Sequence, residues 1–222
     1  MIKMIAFDLD GTICDSIPLC MKALMKSLSP YVDYELTEQD IIRTFGLNEA
    51  GMIKSLVKEN WQKALYDFYV FYEELHDLCA EPFPGMRKLI TFLKENGIIV
   101  PLITGKGERS CKITLKKIGM EDTFDEIMYG SEIYSNKEAS ILFLLLKYKI
   151  EKSEFIYIAD TPSDVEACNA VGVTCFSIAW DEDQFYKLTK RNPVNTYTSA
   201  DELYQYFIKI FKDQADPKLC QK

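Results

Sequence analysis

The 222-residue chain has a single histidine, His76, and so lacks the residues for a histidine-built metal cluster. His76 itself is expected to be structural. Its seven cysteines are odd in number and scattered at 14, 20, 79, 111, 168, 175 and 220, without the close paired spacings of a zinc site or a disulfide framework. They are read as reduced packing residues. Ten glycines are far too few for a collagen-like chain. Positive charge is also short: 26 Lys and Arg against 34 Asp and Glu leave a formal net charge of −8. That balance opposes bulk neutralisation of nucleic-acid phosphates or of an anionic membrane surface, so neither is expected as a partner. No apolar run approaches the ~20 residues of a membrane span. The densest run, residues 140–146, is short and lies among Lys and Glu. The first twelve residues, MIKMIAFDLDGT, set two aspartates directly after the first apolar run. That pattern fits neither a signal-peptide core nor a spanning helix, and a cytoplasmic protein is expected.

What is present is the material of a globular core. Hydrophobic residues make up 48% of the chain, with 13 Phe, 13 Tyr and 2 Trp. At roughly 100–200 residues per domain the length allows one domain and a fraction. Strand-like runs at residues 4–7, 98–103, 155–159 and 173–178 are rich in β-branched and aromatic side chains, and helical patterns separate them. This alternation predicts an α/β fold with a doubly wound, Rossmann-like parallel sheet, whose ligands bind where the strands end. One helix is expected from Pro84 to Asn96-Gly97, and another from about Glu108 to Gly119. The stretch 15–82 holds no convincing strand. It reads as amphipathic helices, with Leu65, Phe68, Tyr69 and Tyr72 at the spacing of a packing stripe. The expected organisation is a catalytic core of residues 1–14 and 83–222, interrupted by an α-helical cap at 15–82.

The polar residues at the predicted strand ends carry the chemistry. Asp8 and Asp10 follow the first strand, Thr104 the second, and Asp160 and Asp164 flank a later one, with Lys137 at a helix start. In a parallel sheet these ends share one edge. Carboxylates gathered there repel and raise one another's pKa unless a cation sits among them. Hard oxygen donors favour Mg²⁺, which normally shares its shell with phosphate.

Four ordered motifs make the chain similar to the haloacid dehalogenase superfamily, in its helical-cap branch of phosphoglycolate-phosphatase-like enzymes. They are Phe7-Asp8-Leu9-Asp10-Gly11-Thr12, Leu102-Ile103-Thr104-Gly105, Lys137, and Asp160-Thr161-Pro162-Ser163-Asp164. The resemblance implies that Asp8 attacks phosphorus and becomes an aspartyl-phosphate, and that Asp10 protonates the leaving alcohol and then activates water. It further implies Mg²⁺ on Asp8, the backbone carbonyl of Asp10 and Asp160, with Asp164 acting through water or as an orienter. Thr104 and the N–H groups at Gly11 and Gly105 would hold the phosphoryl oxygens, with Thr12 beside them in the substrate-binding set. An acid form of Asp10 is expected, as is an Asp8 kept ionised by Lys137 and the metal. Ala159, Glu138 and the Thr104-Gly105-Lys106 sequence depart from the commoner pattern without removing a reactive group.

Some readings stay open at this level. Lys106 is a substrate contact or a solvated lysine, and Lys137 a site residue or an ordinary helix-start lysine. Arg43, before Thr44-Phe45-Gly46-Leu47, resembles a specificity-loop residue or is a surface arginine. The expected activity is a Mg²⁺-dependent phosphoric monoester hydrolase acting on a small phosphorylated metabolite, as a monomer or homodimer. A phosphomutase of the same superfamily and a non-hydrolytic phosphoacceptor are the alternatives. An Asp at position 10 argues against a dehalogenase, since a departing halide needs no proton.

Overall fold

The computed structural model describes residues 1–215; Cys220 lies outside them. Among the described residues six strands form one parallel sheet: β1 (Met4–Phe7), β2 (Leu102–Ile103), β3 (Ile127–Met128), β4 (Phe155–Ala159), β5 (Thr174–Ile178) and β6 (Thr196–Tyr197). Their order is β3-β2-β1-β4-β5-β6. The chain therefore winds outward from β1 in one direction, returns to its other side, and winds outward again. The reversal lies between β1 and β4, where a doubly wound sheet opens its ligand crevice at the strands' carboxyl ends.

β1 lies mid-sheet, and all four of its side chains are buried. Helices cover both faces, which is why the run is uniformly apolar instead of alternating. Ile5 and Phe7 join one core with β2 and the helices inserted after β1, while Met4 and Ala6 join a second core on the opposite face. The strand expected over 98–103 is interrupted. Ile99 pairs with β1 through its N–H and carbonyl, but Pro101 has no N–H to continue the ladder, and regular pairing resumes at Leu102.

Between β1 and β2 the chain forms helices and no strand: α1 (Ile17–Leu28), α2 (Glu38–Ile42), α3 (Glu49–Leu56), α4 (Trp61–Glu74) and α5 (Met86–Glu95). The first four fall within 15–82. Pro18 stands in the first turn of α1, where a missing N–H costs nothing, and Thr37 and Asn48 cap α2 and α3 through their side chains. Phe68 and Tyr72 of α4 are fully buried, with Leu65 and Tyr69 partly so, as their spacing requires.

The remaining helices are α6 (Glu108–Lys117), α7 (Lys137–Tyr148), α8 (Pro162–Val171), α9 (Glu182–Thr189) and α10 (Ala200–Ala215). The six cysteines among the described residues are free thiols. His76 is buried, with Nε2 3.3 Å from the Thr114 hydroxyl, and burial lowers its pKa. No helix among the described residues is long and apolar enough to cross a membrane.

Candidate active site

β1 delivers Asp8 to the crevice, and the Asp8 N–H donates to the Ile158 carbonyl at 2.9 Å, registering it against β4. The chain then turns at Gly11, whose φ of +79° is a left-handed conformation suited to glycine. A Cβ at this position would stand 2.3 Å from Asp160 Oδ2. The space left by the missing side chain is therefore filled by the carboxylate of the neighbouring strand end. Trp180 steadies the same turn, donating from Nε1 to the Gly11 carbonyl at 2.9 Å while its ring stacks on Phe83.

Asp8, Asp160 and Asp164 each offer a carboxylate oxygen within 4.8 Å of the others, and all three residues are buried. Lys137, at the start of α7, ion-pairs with Asp164 and lies 3.3 Å from Asp8. Burial pushes the Asp8 carboxyl well above the usual range; Lys137 pulls it down, but Asp164, Asp160 and Asp10 add to the rise. Burial and then Asp164 push Asp160 up to about 7, against the hydrogen bond from Thr12. Burial disfavours the Lys137 ammonium, yet Asp164 and Asp8 together raise its pKa. Lys137 thus opposes the rise at Asp8 without cancelling it. Three hard, crowded oxygen donors, with the charged forms of Asp8 and Asp160 disfavoured, are the donor set that fits a divalent cation such as Mg²⁺.

The Asp10 carboxylate is turned away from this trio. It accepts from the Ser16 hydroxyl and lies 2.9 Å from the Lys106 ammonium. Asp10 is thus ion-paired with a buried lysine. The Lys106 Nζ also faces the Tyr72 ring at 4.8 Å. Burial opposes the ammonium, and Asp10 more than restores it, leaving the lysine's pKa raised. Lys106 is not solvated, since the residue is only 6% exposed.

Thr104 is fully buried, and its Oγ1 accepts from the Lys106 N–H at 3.1 Å. The Lys106 carbonyl accepts from Gly130 N–H at 2.8 Å, and a Cβ on Gly130 would meet the Gly105 carbonyl oxygen at 1.8 Å. The loop carrying Thr104, Gly105 and Lys106 is thereby held in backbone contact with the segment after β3. Thr12 donates from Oγ1 to Asp160 Oδ1 at 2.8 Å, so its hydroxyl is engaged with a carboxylate of the trio. Arg43 is not brought to the cluster: its guanidinium is largely exposed and pairs with Asp40 at 3.1 Å.

Three residues at the site were not picked out by sequence reasoning. Glu49, at the start of α3, is buried and accepts from Gly107 N–H at 2.8 Å, Ser110 Oγ at 2.9 Å and Tyr69 OH at 3.1 Å. It thus binds the inserted helices to the loop carrying Lys106. Gln184, in α9, and Trp180 reach Asp160 and Gly11. Their local signal, an Asp181 cap three residues before Gln184, describes only a helix start. A groove of about 910 Å³ lies between α3, α4 and α6, lined in part by Glu49, Tyr69, Arg109 and Lys112; none of the acidic trio borders it.

The chain is 25% identical over 194 residues to a Caldanaerobacter subterraneus subsp. tengcongensis protein provisionally named pyrophosphatase PpaX, covering 86% of this chain and 88% of that one. It is 25% identical over 203 residues to a phosphoglycolate phosphatase of Pseudomonas syringae pv. tomato, covering 86% and 74%. The crystal structure of a predicted phosphoglycolate phosphatase from Haemophilus somnus superposes with a TM-score of 0.77 at 18% identity, covering 93% of this chain and 98% of the other, which shows the fold. The sequence profile described as haloacid dehalogenase-like hydrolase matches residues 5–178, a span that includes Asp8, Thr104, Lys137, Asp160 and Asp164, and the chain belongs to that family.

Proposed function

We propose that the protein is a Mg²⁺-dependent phosphatase that hydrolyses a small phosphorylated metabolite through a phosphorylated Asp8. The observation that carries this reading is the trio of Asp8, Asp160 and Asp164 within 4.8 Å, with Lys137 ion-paired against it. The names of the two relatives, one for pyrophosphate and one for phosphoglycolate, support a compact anionic substrate.

Asp8, Asp160 and Asp164 would hold the ion, Asp8 and Asp160 directly and Asp164 as an orienter, with the Asp10 carbonyl completing the protein's share. Bound Mg²⁺ would supply charge neutralisation, both for the crowded carboxylates and for the phosphoryl oxygens. An Asp8 oxygen attacks phosphorus, the bond from phosphorus to the leaving oxygen breaks, and its electron pair stays on that oxygen. Asp10, protonated as its ion pair with Lys106 opens on entry of the leaving group, hands that proton to the leaving oxygen. In the second half Asp10 takes a proton from water, the water oxygen attacks phosphorus, and Asp8 leaves as a carboxylate. Lys137 holds negative charge at Asp8 and the phosphoryl group in both halves. Thr104 and the N–H groups of Gly11 and Gly105 would orient the phosphoryl oxygens.

Asp8 and Asp160 are 5% and 7% exposed, which fits a site that opens to admit substrate. We assign α1 to α4, within 15–82, as a cap over the core, with Lys106 as the candidate for contact with the leaving group. Phosphate release from a panel of pyrophosphate, phosphoglycolate, nucleoside monophosphates and sugar phosphates tests the reading. Turnover of at least one member with Mg²⁺, abolished by a chelator and restored by added Mg²⁺, is the expected result. Isomerised sugar phosphate without released phosphate would mark a phosphomutase instead.

A further inference from the structure

The geometry points to Gln184 as a positioning residue that fixes the Asp160 carboxylate for a divalent cation, an inference that rests on the proposed metal role of the trio. α9 is an amphipathic element at the surface. Asp181, Glu182 and Asp183 before Gln184 are exposed, as are Phe185, Tyr186 and Lys187 after it, whereas Gln184 turns inward.

Its amide is held at both ends. Nε2 donates to Asp160 Oδ2 at 3.0 Å and approaches the Asp160 carbonyl at 3.3 Å, while Oε1 accepts from the Trp180 N–H at 2.8 Å. These partners fix the orientation of the amide, because only the NH₂ end can face two acceptors and only the oxygen can face an N–H. Thr12 donates to the other Asp160 oxygen at 2.8 Å, so two neutral donors hold the two carboxylate oxygens.

Neutrality is the significant property. Lys137 pairs with Asp8 and Asp164, and among the described residues Asp160 has no ion-pair partner within 4.0 Å. Two neutral hydrogen bonds fix the direction of the carboxylate without cancelling its charge, and each oxygen retains a second lone pair for a metal. Loss of such an outer partner typically costs 10–100-fold in metal affinity. Through Trp180, whose indole holds the Gly11 carbonyl, the same segment also touches the turn after Asp8. α9 thereby braces both strand ends that supply ligands.

The test is Mg²⁺ binding alone, measured by isothermal titration calorimetry on the full chain. Gln184→Met keeps the length of the side chain, and Gln184→Ala serves if that variant folds poorly. Asp181→Ala, which removes the cap of α9 without touching Asp160, controls for a loosened helix. The expected result is a Kd raised about 10–100-fold by either Gln184 substitution, with Asp181→Ala within about twofold of the unsubstituted protein. A Gln184 variant within twofold of the unsubstituted protein overturns the inference, as does an equal weakening by Asp181→Ala. Failure of the unsubstituted protein to bind Mg²⁺ would overturn the metal reading of the trio together with it.

Discussion

At the level of single residues, charge is arranged in two compartments. Lys137 pairs with Asp8 and Asp164, and Lys106 pairs with Asp10 beside the Tyr72 ring of α4. The separation assigns different losses to the two aspartates of the first motif. Asp10→Asn is expected to lower phosphate release about 10²–10⁴-fold for alkyl phosphates, the range of a lost proton donor. An aryl phosphate, whose leaving group needs no proton, should lose far less; equal losses in a side-by-side rate comparison would argue against the role. Asp160 gives a pH dependence. In the metal-free protein its folded pKa of about 7 lies above the unfolded value of 3.8, so stability falls as pH rises between them. A divalent cation needs the ionised form and relieves that cost. The Mg²⁺-induced rise in Tm should accordingly be larger at pH 8 than at pH 5, by about 3 °C or more, the effect of roughly 1 kcal/mol in a chain of this size. Equal rises at the two pH values in a thermal melt would contradict it. The places of Asp8, Asp10, Asp160, Asp164, Thr104 and Lys137 were legible in the sequence because each follows a strand or lies in the first turn of a helix. Glu49 and Gln184 were not, because their partners lie 58 and 24 positions away and are brought near only by packing.

At the level of elements, α3 and α9 are the braces that periodicity does not reveal. Glu49 joins α3 to the N-terminal turn of α6, accepting from Gly107, Ser110 and Tyr69. Glu49→Ala leaves three donors without that acceptor and is expected to cost about 1–3 kcal/mol. The drop in Tm should be roughly 3–10 °C, with faster hydrogen exchange at the Gly107 amide. An unchanged Tm and unchanged exchange would show that the insert is not tied to the core at this point. The long strands were legible as β-branched and aromatic runs. β3 and β6 were not, because two-residue edge strands are too short to express a period. Pro101 explains why a six-residue apolar run yields only a short regular strand: the side chains suit a buried sheet, but the backbone lacks one donor.

At the scale of the whole molecule, one parallel sheet places residues 8 and 160 on adjacent strand ends, and the helices between β1 and β2 pack against that sheet. An acidic chain of net charge −8 can thus present a local site for an anion, since Lys106 and Lys137 oppose the carboxylates there and a bound divalent cation would add to them. The alternation of strand-like runs and helical patterns made the parallel sheet legible in the sequence, whereas the closeness of the inserted helices to it depends on contacts such as those of Glu49 and Tyr72. The central claim is that Asp8 carries the phosphoryl group during turnover. Rapid quenching of the Mg²⁺-loaded protein during turnover of a phosphate-labelled substrate, followed by peptide mapping, tests it most directly. The account predicts label on the peptide containing Asp8, decaying as inorganic phosphate appears, and neither label nor release from Asp8→Asn. Release at an undiminished rate by Asp8→Asn, with no label trapped on either protein, would contradict it.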